Sequence, residues 1–157
     1  MVRVALSLGS NLGDRRAHLE WAADRLRSIL ANLETSDVIE TDPVDVPDPQ
    51  PPYLNMAATG QTSLTPDRLI ERLLDIEKRG GRERRSPKAA RTIDLDLILY
   101  GDVTMATPAV SVPHPRFRTR RFVLEPLAAI AADWVDPVTG RTVRQLLDDL
   151  NEKEKGA

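Results

Sequence analysis

The stretch RTIDLDLILYG, Arg91–Gly101, decides how this chain folds. From Ile93 its residues alternate with period two, the pattern of a strand. Side chains alternate across a sheet, so Ile93, Leu95, Leu97 and Leu99 are expected on one face and Asp94, Asp96, Ile98 and Tyr100 on the other. The first face is core. The second carries two carboxylates about 7 Å apart at Cα, close enough to repel when ionised and close enough to share cations. Mg²⁺ suits such a pair, because it is held through one or two carboxylates together with phosphate oxygens and water. Two metals about 3.5–4 Å apart could be bridged in this way. An ordinary half-exposed strand is the competing reading, and for the Asp-x-Asp pair in isolation it is the better one.

The residues upstream change that balance. KRGGRERRSPKAAR, from Lys78 to Arg91, carries seven basic residues, one acid and no apolar periodicity, so it reads as a basic loop. Arg82, Arg84, Arg85, Lys88 and Arg91 could meet the phosphates that a carboxylate-bound metal also holds. Metal and arginines together suit a polyphosphate. An arginine-rich RNA-binding segment is the alternative. Carboxylates beside the patch argue against it, because they would repel a phosphate backbone unless a metal intervened. Neither G-x-x-x-x-G-K-[ST] nor a kinase-type G-x-G-x-x-G is present, so an ATP site here must be built differently.

Elsewhere, Val2, Val4, Leu6 and Leu8 alternate as a strand ending in the turn GSN. After Asp14, an N-cap, residues Leu19, Ala22, Ala23, Leu26, Ile29 and Leu30 recur at helical spacing. Val38–Thr41 is expected to be extended, followed by a loop with five prolines between Pro43 and Pro52. YLNMAATGQT returns to a strand. TPDRLIERLLDIEKR then starts a helix with Thr65 as cap and Pro66 at its first position, stopped by Gly80-Gly81. Beyond the Asp-x-Asp strand, a second Pro-rich stretch runs into a helix holding Phe122, Leu127 and Ile130, and a turn and short helix close the chain. Strand, helix, strand, strand, helix, strand is the order of an α+β fold of the ferredoxin-like, split βαβ kind, with helices packed on the sheet.

Composition bounds the rest. A chain of 157 residues fits one domain, 1–157, and buries a fair core. The formal charge of −2 gives no general pull toward nucleic acid or membrane, so any cationic site is local. With no cysteine and only His18 and His114, thiolate and histidine-built zinc sites are excluded. No run approaches the ~20 apolar residues of a membrane span, and a cytoplasmic protein is expected.

Taken together, SLGSNLGD, YLN after a Pro-rich loop, IEKRGGRER, RTIDLDLILYGD and VPHPRFRTRRFVLEPL resemble the 6-hydroxymethyl-7,8-dihydropterin pyrophosphokinases of folate biosynthesis in order and spacing along nearly the whole chain. The resemblance implies transfer of pyrophosphate from ATP to the pterin alcohol by a monomer, with long catalytic loops. Asp94 and Asp96 would hold two Mg²⁺ ions bridging the ATP phosphates. Arg82 and Arg91 would contact the pyrophosphate, Arg84 would assist, His114 and Arg120 would touch ATP phosphates, and Glu77 would line the adenosine side. The pterin would lie between Tyr53 and Phe122, with Asn55 on its edge and Thr41 and the Val44 backbone nearby. A catalytically silent relative, serving as a nucleotide-binding or interaction domain, is the alternative.

Residue chemistry gives each of these its own reading. Two aromatic faces and a polar side chain suit a flat heteroaromatic ring. Without the resemblance Phe122 reads as core, Tyr53 is evenly balanced between packing on the loop and binding, and His114 is a surface histidine between prolines. Two departures stand out. Lys88 in SPKAAR occupies the place of a frequent aromatic, and Asp45 that of a frequent glycine.

Overall fold

The computed structural model describes residues 1–41, 52–80 and 93–155. Its main sheet is antiparallel throughout. The strands are β1 (Val2–Ser10), β2 (Ala31–Thr35), β3 (Ile39–Thr41), β4 (Tyr53–Thr62) and β5 (Asp94–Tyr100), in the order β2-β4-β1-β5 with β3 also paired to β4. Among the described residues four helices accompany them: α1 (Arg15–Arg27), α2 (Pro66–Arg79), α3 (Arg121–Ala131) and α4 (Val143–Lys155). A small hairpin of β6 (Met105–Ala106) and β7 (Ser111–Val112) and a 3-10 turn (Phe117–Thr119) lie between β5 and α3. The β1-α1-β2/β3-β4-α2-β5 order, with β1 between β4 and β5, agrees with the α+β arrangement expected from the sequence.

Each face of the sheet has its own core. Val4, Leu6 and Leu8 of β1, with Leu54, Met56 and Ala58 of β4, pack beneath Leu19, Leu26, Leu69 and Leu73 of α1 and α2. On the reverse, Ala5, Ala57 and Leu99 pack beneath Leu124 and Leu127 of α3 and Leu146 of α4, with Phe117 fully buried among them. The small residues of β1 and β4 on that face let α3 come close to the sheet.

The helix ends follow local chemistry. Asp14 accepts a hydrogen bond from Ala17 N at 3.1 Å, capping α1 as expected. Pro66 opens α2 and Gly80 ends it, with Gly80 N bonded to Ile76 O at 2.9 Å. A Cβ at Gly80 would stand 2.8 Å from Ile93 Cγ2, so the lack of a side chain there lets the end of α2 meet the start of β5.

Two expectations need correction. The α1 pattern does not extend through Ile29 and Leu30: the helix stops at Arg27, where the Ser28 hydroxyl and amide both bond to Arg25 O, and β2 follows. β2 hides its alternation because Asn32 sits at φ +53° and the register slips between Ala31 and Glu34. The second correction falls on the Asp-x-Asp strand itself. Leu6 faces Leu97 but Ala5 faces Leu99, so Ile98 is an extra residue and the alternation inverts. Leu99 therefore joins the α3/α4 core, and Tyr100 joins Ile93, Leu95 and Leu97 in the other, its hydroxyl donating to Leu64 O at 2.5 Å. The Pro-rich stretch at 42–51 and the basic loop at 81–92 lie outside the described residues.

Candidate active site

The strand register assembles Thr41, Tyr53, Asn55, Asp94 and Asp96 before any ligand is considered. Gly9 of β1 pairs with Asn55 of β4 on one side and with Asp94 of β5 on the other. The next row is Ala57–Ser7–Asp96. Residues paired in this way share a face, so Asn55, Gly9, Asp94 and Asp96 lie on the face covered by α3 and α4, beyond the Ala5–Ala57–Leu99 core. Neighbouring strands are about 4.8 Å apart, which puts Asn55 and Asp94 about 10 Å apart across Gly9.

Gly9 has no side chain for a packing reason. A Cβ there would stand 3.1 Å from Asn55 Oδ1 and 3.5 Å from Tyr53 Cδ1. The sequence shows this glycine only as part of a turn; its alternation puts it on the face of Ser7, and only the pairing with β5 makes that the aspartate face. Asn55 is 4% exposed and donates from Nδ2 to Thr41 Oγ1 at 2.6 Å, which turns its Oδ1 toward Gly9. Thr41 and Tyr53 are directly paired, so Thr41, Tyr53 and Asn55 form one wall. Tyr53 is half-buried.

The other side of the aspartates is the outer edge of β5. Glu77, buried on α2, accepts from Leu95 N at 2.7 Å, and His114 N donates to Ile98 O at 2.9 Å. These two residues flank a cleft of about 240 Å³ whose lining includes Leu73, Asp94, Asp96 and Ser111. Leu73 and Ser111 carried no signal in the sequence, because only the tertiary fold brings α2 and β7 to this edge.

VPHPRFRTRRF contains four arginines, and the structure separates their roles. Arg118 is bound by Asp136 through Nε–Oδ2 at 2.5 Å and Nη2–Oδ1 at 2.9 Å, and Arg121 by Asn151 and Glu154. Arg116 and Arg120 instead act on His114. Burial, then the Arg120 and Arg116 guanidinium charges, push the imidazole pKa down to about 4, against the opposing pull of Asp94. His114 is thus neutral at pH 7. Its Nδ1 accepts from Arg116 N at 3.2 Å, so Nε2 carries the proton and presents a donor. Arg120 caps α3 and stands 5.5 Å from the centroid of the Phe122 ring, which is half-buried against the α3/α4 core.

The His114 environment has a measurable consequence. Between its unfolded pKa near 6.5 and about 4, the unfolded chain takes up this proton more readily than the fold does. Stability is therefore expected to fall as pH drops through that window. His114→Gln should lose less thermal stability than wild type between pH 6.5 and 4, as read by thermal midpoints; parallel curves for the two proteins would contradict this.

Asp94 and Asp96 are half-buried and line the cleft. Among the described residues there is no group of three or more histidine, cysteine, aspartate or glutamate side chains that could hold a metal. Two hard oxygen donors with the remaining positions open fit Mg²⁺ carrying water and phosphate oxygens, and do not fit an all-protein cage. Val44, Arg82, Arg84 and Arg91, together with Asp45 and Lys88, lie outside the described residues.

Comparison with known proteins places the chain in a family. The model of the 7,8-dihydro-6-hydroxymethylpterin-pyrophosphokinase family matches residues 5–132. The chain is 47% identical over 103 residues to a 2-amino-4-hydroxy-6-hydroxymethyldihydropteridine pyrophosphokinase of Synechocystis, covering 66% of this chain and 53% of that protein. It is 43% identical over 127 residues to the Bacillus subtilis protein of the same name, covering 80% of this chain and 75% of that one. A Pneumocystis carinii folic acid synthesis protein is 39% identical over 149 residues, of which this chain spans only 20%. The chain thus spans about half, or less, of several relatives that it matches. In fold, a crystal structure of HPPK-DHPS in complex with substrates aligns over 99% of this chain and 44% of the other, with TM-score 0.73 and 12% identity. Wild-type Plasmodium falciparum HPPK-DHPS aligns with TM-score 0.75 and 14% identity, over 99% of this chain and 46% of that one. With the family match running from β1 through α3 and two relatives above 40% identity, the chain belongs to the 7,8-dihydro-6-hydroxymethylpterin-pyrophosphokinase family.

Proposed function

We propose that this protein transfers pyrophosphate from ATP to the hydroxymethyl group of 6-hydroxymethyl-7,8-dihydropterin, releasing AMP, as a cytoplasmic monomer. The observation that carries this reading is the position of Asp94 and Asp96. They lie between a wall suited to a flat polar ring, formed by Thr41, Tyr53 and Asn55, and an edge cleft flanked by Glu77 and His114.

The pterin ring would rest against Tyr53, with Phe122 as its second aromatic face and Asn55 on its edge. Thr41 holds the Asn55 amide in one orientation, so the ring meets a fixed acceptor. ATP would occupy the cleft, its adenosine toward Glu77 and its phosphates toward His114 and Arg120. A neutral His114 donates from Nε2 without adding a charge, while Arg120 supplies one. The resemblance adds Arg82, Arg84 and Arg91 on the phosphates and the Val44 backbone near the pterin.

Asp94 and Asp96 would hold two Mg²⁺ ions, which, bound with ATP, lower the charge on the phosphates facing the nucleophile. The hydroxymethyl oxygen attacks the β-phosphorus in line. The bond from β-phosphorus to the α–β bridging oxygen breaks, its electron pair leaves with AMP, and the hydroxyl proton is released to water as the new P–O bond forms. Catalysis of this type needs placement and charge neutralisation more than covalent help from protein, which matches a site of carboxylates, arginines and a neutral imidazole.

The test is AMP formation from ATP and 6-hydroxymethyl-7,8-dihydropterin, with Mg²⁺ and again with EDTA. Pterin-dependent AMP that vanishes with EDTA is the expected result. Folded protein that binds both ligands and forms no AMP would favour the silent relative instead.

A further inference from the structure

Helix α1 begins with Arg15 and Arg16 and has no acid in its first turn. Cations there oppose the helix dipole. Arg15 nevertheless makes a contact that offsets this. Its Nη1 donates to Pro52 C=O at 2.6 Å and stands 3.9 Å from Glu40 Oε2. Pro52 precedes Tyr53 and Glu40 precedes Thr41, the two residues that pair at the end of the sheet. Glu40 itself pairs with Leu54, whose side chain lies in the α1/α2 core. Arg15 thus braces the ends of β3 and β4 from the face opposite to the one that carries Asn55 and Gly9.

We propose that Arg15 is a positioning residue for the pterin ring, fixing the Tyr53 backbone and the Thr41–Asn55 pair from behind the wall they form. The inference rests on the assignment of that wall to the pterin. Arg15 lies on the far side of the sheet from the bound ring, so its effect falls on ring affinity and leaves phosphoryl chemistry alone. Its side chain is about one-quarter exposed, and two strands and a helix meet at it.

The test is steady-state kinetics of wild type, Arg15→Ala and Arg15→Lys, each substrate varied in turn, with equilibrium pterin binding followed by pterin fluorescence. Arg15→Ala should raise the pterin KM and Kd about tenfold, equivalent to about 1.4 kcal/mol. The kcat at saturating pterin and the ATP KM should hold. Arg15→Lys, which keeps a donor for the Pro52 carbonyl and a charge for Glu40, should recover part of the loss. Unchanged pterin affinity in Arg15→Ala, or equal losses in both KM values and kcat, would overturn the proposal, the latter marking general loosening of the fold. Wild-type protein that binds no pterin would instead remove the functional reading, and this inference with it.

Discussion

Asp94→Asn and Asp96→Asn are each expected to lower AMP formation by at least about 10²–10³-fold, the range seen when one preorganised electrostatic contact is removed from a transition state. The amide keeps the shape of the carboxylate and loses its charge. Both side chains are half-buried and project from a strand whose neighbours Leu95 and Leu97 anchor it in the core, so the fold should survive. The same variants should lose the stabilisation that Mg²⁺ with ATP confers on wild type. Wild-type turnover in both would show that the pair is only the polar face of a strand.

The second large effect concerns stability. Asp136 is fully buried, and its carboxylate accepts from Arg118 twice, from Val138 N at 3.1 Å and from Thr139 Oγ1 at 2.7 Å. Burial raises its pKa, but these partners outweigh burial and hold it below the usual carboxylate value. Breaking a buried pair by removing one partner costs roughly 3–5 kcal/mol, and Arg118 keeps some exposure, so Asp136→Ala is expected to cost about 3 kcal/mol. For a domain of this size that is a fall of about 6–12 °C in thermal midpoint. The lowered pKa means that this stabilisation is present above the unfolded carboxyl pKa and is lost as pH falls through the folded value, so wild type and variant should converge in acid. Arg118 sits between His114 and Arg120, so the same change should also weaken ATP binding. A thermal midpoint within about 2 °C of wild type, less than 1 kcal/mol, would contradict the assignment.

Sequence reading went furthest where the signal was local and periodic. β1, β4, the Asp14 cap of α1, the Pro66 start and Gly80 stop of α2 and the Asp-x-Asp strand all follow from spacing within a few residues, whereas Thr65 stands at the start of α2 without a side-chain capping bond, its hydroxyl donating to Asp67. It failed where a single residue broke the period: Asn32 at positive φ concealed β2, and the extra Ile98 exchanged the faces of Leu99 and Tyr100. Asp94 and Asp96 precede that extra residue, so their shared face was legible while the end of the strand was not. The wall of Thr41, Tyr53 and Asn55 came from the resemblance; the register that joins it to Asp94 through Gly9 is a tertiary fact. Arg118 and Asp136 are 18 positions apart and Arg121 and Asn151 are 30, and nothing in VPHPRFRTRRF distinguishes these two locked arginines from the two whose charges act on His114.

The outer margin of β5 offers backbone groups that another polypeptide could extend, a template for intermolecular aggregation. Here a carboxylate takes the Leu95 amide and the His114 backbone takes the Ile98 carbonyl, so groups that flank the edge cleft also occupy the position an invading strand would need. On the proposed function, solubility and nucleotide binding would depend on the same atoms, and a substitution at Glu77 would also open the sheet to self-association.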